Sequence, residues 1–163
     1  MDAKEKRQLK WTLALSIALL PPILALFNAA GRVLAGWISD RIGRINTLFT
    51  MLILAVIGLG LLYISGTGSV ATFYIGISVV GLCFGAFMGV FPGFTADQFG
   101  QMNNSVNYGI MFIGFALAGY VGPTIMNTVY RSTGDYHPAF LIAMGLAGVG
   151  IVLSVIYRKL SRR

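Results

Sequence analysis

Five apolar stretches, each long enough to cross a bilayer and separated by short polar connections, leave this chain little choice of fold. A bilayer core needs about 20 apolar residues per helix. On that measure the spans fall at about 11–38, 46–65, 70–94, 106–130 and 138–157. Lipid offers no hydrogen bonds to a bare backbone, so each stretch must be helical. With 56% hydrophobic and 10% charged residues, a soluble domain of 163 residues could not hide so much apolar surface. The connections at 40–44, 66–69, 95–105 and 131–137 are too short to act as linkers between separate domains. The expected fold is all-α: one polytopic membrane domain over residues 1–163, a bundle of five transmembrane helices.

Charge follows the same pattern. All but one of the twelve Lys and Arg residues sit at the chain ends or in connections, as the cost of charge in hydrocarbon requires. The net charge of +7 then reads as attraction to anionic headgroups, with membrane lipid and not nucleic acid as the partner. The basic run Lys4-Glu-Lys6-Arg7-Gln-Leu-Lys10 precedes an apolar stretch, as in a signal peptide. That stretch runs on to Ile38 with no small-x-small cleavage site, so a retained span is expected. The single Cys83 excludes an internal disulfide and a cysteine-based metal site. The single His137, beside Pro138 in a polar connection, reads as a loop residue. There is no acid pair within a span, no metal-ligand cluster and no phosphate loop, so neither an enzyme nor a cofactor or metal is expected.

Five spans put the two termini on opposite sides. Arg41, Arg44, Arg158, Lys159, Arg162 and Arg163 fall together, making six; Lys4, Lys6, Arg7, Lys10 and Arg131 make five on the other side. The positive-inside rule barely separates them. The expected arrangement has the 40–44 loop and the C-terminus cytoplasmic, in a plasma (inner) membrane, with the orientation of the first ten residues open.

Polar groups on apolar helices are the candidates for chemistry. Asn28, Arg32 and Gly36 recur at i, i+4 and i+8, sharing one face of the first span. A guanidinium is always charged and can grip a carboxylate through two parallel hydrogen bonds. Facing a cavity, Arg32 would bind an anion with Asn28 orienting it one turn deeper. If Trp11 and Trp37 mark the interfaces, however, Arg32 lies about 3 Å inside a ~30 Å core and can snorkel to the headgroups. Position alone leaves both readings standing. In Gly36-Trp-Ile-Ser-Asp40-Arg41-Ile-Gly43-Arg44, Gly36 would allow close helix packing and Asp40 would bond a neighbouring helix N-terminus. Gly43 would permit the reversal, while Arg41 and Arg44 would meet lipid phosphates or a facing acid. Gly81, Gly85 and Gly89 line one face of the third span, where they allow backbones to approach. Pro21-Pro22 should bend the first span, and Pro92-Gly93 should loosen the end of the third. Asn104 or Ser105 should cap the fourth, and Asn107 and Tyr108 would enter the membrane as neutral hydrogen-bonders or interface anchors. Tyr74, Tyr120 and Asn127 are weaker candidates of that kind.

The motif Gly36-x-x-x-Asp40-Arg41-x-Gly43-Arg44 resembles the loop motif of the major facilitator superfamily. Together with residues 28–35, Phe91-Pro-Gly-Phe-Thr-Ala-Asp97-Gln-Phe-Gly100 and Asn107-Tyr-Gly109, it more narrowly resembles the oxalate/formate antiporter family, which is organised like the monocarboxylate carriers. The resemblance runs from about Trp11 to Tyr157. It implies that these spans are the eighth to twelfth of twelve and that the 36–44 turn is a gating loop on the cytoplasmic side. It also implies that Arg32 is the membrane-buried arginine that holds the substrate carboxylate.

Two departures from the family shape the expectation. A second cation, a lysine shortly after Asn-Tyr-Gly, is implied for oxalate exchange, but residues 110–117 are uncharged and Phe115 stands near that place. One arginine suits a monocarboxylate better than a dianion, whose second charge would lack a partner. The family's first seven helices are also absent, and such carriers bind at the interface of two halves. The leading expectation is the C-terminal part of a secondary carrier for a small organic anion, a monocarboxylate, working with an N-terminal half or partner subunit. Arg32, Asn28, Asn107 and Tyr108 would meet the substrate. The alternative is a truncated, non-transporting membrane fragment or interaction protein whose glycine faces pair with partner helices.

Overall fold

The computed structural model describes residues 3–65 and 70–160. The connection at 66–69, Arg162 and Arg163, and the side chains of Lys6 and Lys10 lie outside the described residues. The chain there forms α1 (Ala3–Ile42), α2 (Arg44–Ser65), α3 (Val70–Phe99), α4 (Asn104–Thr133) and α5 (His137–Leu160). All five are long and apolar enough to cross a membrane, so the all-helical membrane fold read from hydropathy is the fold observed. The helices overrun the apolar stretches because a helix leaving hydrocarbon keeps its own hydrogen bonds. α3, for example, continues through Pro92 to Phe99, and α1 continues through Pro21 and Pro22. A proline removes one donor and clashes with the preceding turn, but its fixed φ is otherwise helical.

Three helices stop on a glycine. Gly43, Gly100 and Gly134 have φ of +88°, +82° and +72°, a left-handed conformation that costs a side chain about 1–2 kcal/mol. Their N–H groups donate to the carbonyls of Ser39, Ala96 and Tyr130 at 3.0, 2.9 and 2.8 Å, closing the last helical turn as C-caps do. Gly43 thus makes the reversal expected of it, and Gly100 and Gly134 repeat the device.

α3 is the centre of the bundle, packed against α1 on one side and α2 on the other; α5 lies against α2. The core sits where these first three helices meet, around Ala35, Leu48, Met51, Ala86 and Val90. Small residues dominate the α1 and α3 contributions because lipid gives no hydrophobic drive between helices, leaving close van der Waals contact to hold them. α4 is different. Among the described residues it touches only α3 and α5, and sparsely, and none of its residues is buried.

Candidate functional site

Arg32 and Asn28 face one groove. The Arg32 Nε–H donates to Asn28 Oδ1 at 3.1 Å, the i, i+4 contact that helical spacing allows. The groove, about 450 Å³, is lined by α1 alone: Pro21, Leu24, Ala25, Asn28, Ala29 and Arg32. Among the described residues no carboxylate pairs with Arg32, and its two terminal nitrogens have no acceptor. A guanidinium has five N–H groups. With Nε committed to Asn28, the forked end remains for a ligand. Asn28, its oxygen engaged, offers its amide donors. Donors therefore outnumber acceptors in the pair, which suits an anion.

The backbone beneath this pair rests on the glycine face of α3. A Cβ at Gly89 would stand 2.7 Å from the Arg32 carbonyl oxygen, and one at Gly85 would run into the Asn28 carbonyl. At Gly81 the obstacle is only the end of the Leu24 side chain, at 2.6 Å. Arg32 and Asn28 are held by a close backbone contact, and the glycine face is already covered by α1. On the α1 side the tight position is Gly31, whose Cβ would meet the Leu82 carbonyl. Gly36 has nothing within 4 Å of a built Cβ. The close packing expected at Gly36 is not made within this chain, because Gly36 shares the face of Asn28 and Arg32, beside the buried row Gly31, Ala35 and Ser39.

At the 40–44 turn, Arg44 gathers the charges. Its Nε donates to Asp97 Oδ2 at 2.7 Å across from α3, its Nη1 to Ser39 Oγ at 3.2 Å, and its Nη2 lies 3.5 Å from Asp40 Oδ1. Gly93 makes room, since a Cβ there would strike the guanidinium. Asp40 thus meets the Arg44 side chain rather than a helix N-terminus, the arginine being one turn away and charged. Arg41 lies over the Trp37 ring, 4.1 Å from its centroid, and leaves Asp97 to Arg44. The sequence motif Phe91–Gly100 contains this acidic partner but gives it no role. The signal that locates it is topological: in an up-and-down bundle, the ends of α1 and α3 share one face.

Asn107 and Tyr108 do not join Arg32. Tyr108 packs edge-on against Phe112, ring centroids 5.0 Å apart, and lines a separate cavity of about 270 Å³ between α3 and α4 with Met88, Phe91 and Phe115. Asn107 is half-buried on α4 and lines none of the cavities described here. The cap of α4 also differs from expectation. Asn103 holds the cap position without a side-chain hydrogen bond. Asn104 sits inside the first turn and its side-chain amide donates to the Pro92 carbonyl of α3 at 3.4 Å.

His137 is not a loop residue. It begins α5, its Nδ1 lies 2.6 Å from both Asp135 oxygens, and its ring meets Tyr63 edge-on at 5.8 Å. Its backbone N–H also donates to Asp135 Oδ1 at 3.3 Å, so Asp135 serves as an acidic cap for α5. The His137 hydrogen bond, with backbone donors, holds the Asp135 carboxyl below the usual carboxylate range. Asp-x-His ahead of an apolar run was the available sequence sign.

The chain is thus an α-helical bundle with an arginine in a span and an acid-locked basic turn. The chain belongs to the Major Facilitator Superfamily, whose model matches residues 6–163. It is 30% identical over 95 residues to the uncharacterised MFS-type transporter YhjX of Escherichia coli strain K12, covering 58% of this chain and 23% of that protein. It is 26% identical over 152 residues to the MFS transporter asaE of Aspergillus flavus, covering 85% of this chain and 34% of that one. The chain spans about a quarter to a third of these curated relatives. The family is one of membrane transporters, not enzymes, and the chain is an integral membrane protein.

Proposed function

We propose that these helices form a portion of a secondary carrier for a small organic anion, a monocarboxylate, of the oxalate/formate antiporter type. They would act as the eighth to twelfth of its twelve helices, in the plasma (inner) membrane with the C-terminus cytoplasmic. The observation that carries this reading is the donor-rich Arg32–Asn28 pair, without a carboxylate partner among the described residues, on a membrane-spanning helix. An ionisable group in such a place marks a substrate path by default. Arg32 grips the carboxylate with its forked end, and Asn28 fixes the angle of the guanidinium and adds an amide donor. The single cation favours one negative charge on the substrate. Asn107 and Tyr108 belong to the opposite wall of the path, reached as α4 moves against α1. The Arg44–Asp97–Asp40 cluster holds the cytoplasmic ends of α1, α2 and α3 together and must loosen if the gate there opens.

The exposed faces of α1 and α4 fit a site completed by the carrier's other half. Pairing with partner helices in place of transport would use glycines other than Gly81, Gly85 and Gly89, such as those of α4, because that face of α3 is taken. Substrate exchange in proteoliposomes of the twelve-helix carrier tests the reading. Arg32→Ala removes a charge-assisted contact worth about 1.5–3 kcal/mol, so monocarboxylate affinity should fall roughly 10- to 100-fold while insertion persists. Unchanged affinity refutes the assignment. Arg32→Lys should restore it only incompletely, because an ammonium lacks the fork.

A further inference from the structure

The connection between α4 and α5 is held by groups from three helices. Gly134 ends α4 in the left-handed conformation, and Tyr136 folds back to stack on Tyr130 of α4, ring centroids 4.4 Å apart. The Asp135 N–H donates to Thr133 Oγ1 at 3.3 Å. Asp135 in turn caps α5 and takes the His137 ring, whose Nδ1 lies 2.6 Å from each carboxylate oxygen. That ring meets Tyr63 of α2. These contacts matter because α4 is sparsely packed elsewhere among the described residues. Asp135, Tyr136 and His137 also form one wall of a cavity of about 640 Å³, whose other walls include Leu62 of α2, Phe73 of α3 and Met126 of α4.

A nitrogen 2.6 Å from two carboxylate oxygens must carry a proton, since a lone pair there would face both of them. With both ring nitrogens protonated the contact is an ion pair. With one, it is a hydrogen bond from a neutral ring, about half as strong. Histidine is the side-chain type that ordinarily changes charge between about pH 5 and 8. Asp135, its carboxyl held below the usual carboxylate range chiefly by His137, keeps its charge throughout. The other ionisable groups on the helices around the cavity at this end are Tyr63, Tyr74, Tyr130, Tyr136 and Arg131, none of a type that titrates in that range. Among the described residues Asp135 pairs with His137 and not with Arg131, and α1 is not packed against α4 or α5. The 66–69 connection contains no ionisable side chain.

We propose that His137 and Asp135 form a proton-sensitive clasp that holds the α4–α5 turn against α2, closed when the ring is charged and released when it loses its proton. A neutral ring has two tautomers, and the one protonated at Nε2 turns a lone pair to the carboxylate. The ring then leaves its place beside Tyr63, the cavity loses a fixed wall, and α4 is freed at this end. None of these residues lines the Arg32 groove, so the clasp stands apart from the anion reading.

Hydrogen–deuterium exchange of the full chain in detergent micelles tests this, with rates corrected for the intrinsic dependence of amide exchange on pH. The reporters are the His137 and Ala139 N–H groups, bonded to Asp135 and to the Tyr136 carbonyl. Raising the pH from about 6 to about 8 should speed their corrected exchange about fivefold, the change expected when a charge-assisted bond becomes a neutral one. His137→Gln, which keeps an amide donor but never a charge, should show equal corrected rates at both pH values. Asp135→Asn should do the same, and supplies the comparison if the glutamine variant does not fold. The Thr47 N–H, bonded to the Gly43 carbonyl at the other end of the bundle, reports folding and should be unchanged by pH or by either variant. Equal corrected rates in the parent at the two pH values overturn the clasp. So does a pH dependence that survives in either variant, or one that Thr47 shares.

Discussion

Adding one methyl group to a glycine should have opposite effects at two positions in this bundle, and the contrast tests whether α1 and α3 meet backbone to backbone. At Gly36 a Cβ meets nothing within 4 Å. Gly36→Ala therefore gains helix propensity, about 0.8–1 kcal/mol, with no steric cost. At Gly85 the same Cβ collides with the backbone carbonyl of Asn28. A carbonyl in a helix cannot rotate away as a side chain can, so the two helices must separate. Overpacking of that kind costs about 1–3 kcal/mol or more; against the same propensity gain, Gly85→Ala should be destabilising by up to about 2 kcal/mol. Gly89→Ala should behave alike, with the Arg32 carbonyl 2.7 Å away, while Gly81→Ala should be milder because the Leu24 side chain can yield. Reversible unfolding in mixed micelles, titrated with a denaturing detergent, gives the four values. If Gly85→Ala proves as stable as Gly36→Ala, the close α1–α3 contact is wrong, and with it the account of how Arg32 is held.

Gly43→Ala places a side chain at φ +88° and should cost about 1–2 kcal/mol in the same unfolding titration; an unchanged midpoint would mean the turn is not left-handed. Asp135 gives a pH dependence. Its folded-state pKa is lowered from 3.8, chiefly by the His137 hydrogen bond, so its contribution is present above that value and is lost as pH falls through the lower folded value. Thermal unfolding followed from pH 6 downward should show this loss in the parent and a smaller one in His137→Ala; identical profiles would show that the pair does not contribute. Asp97→Asn weakens a partly exposed ion pair and should cost no more than about 1 kcal/mol, yet it should free the Arg44 side chain, detectable as faster proteolysis at the 40–44 turn.

Some of the site is legible in one dimension. Gly43 can be assigned to a left-handed turn because the requirement is local, two helices reversing over one residue. Arg32 and Asn28 can be placed on one face because helical spacing is fixed. Asp97 cannot be matched to Arg44, 53 residues away, without the helices side by side. His137 is mistaken for a loop residue because a lone histidine beside a proline looks like one until Asp135 and Tyr63 are seen around it. Gly36 reads as a packing glycine, but its spacing from Arg32 does not say which neighbour faces it, and within this chain nothing lies within 4 Å of a Cβ built there.

The sequence by itself determined the number of helices, their approximate ends and the concentration of charge at the turns. These follow from the cost of a bare backbone or a charge in hydrocarbon, which each residue bears wherever its neighbours are. Tertiary structure alone decided which glycines are tight, which acid meets Arg44, and that Tyr108 faces a different cavity from Arg32. The reason is that lipid is as apolar as a neighbouring helix. Hydropathy therefore cannot tell an outward face from an inward one, and only the packing of backbone against backbone sets how each helix is turned.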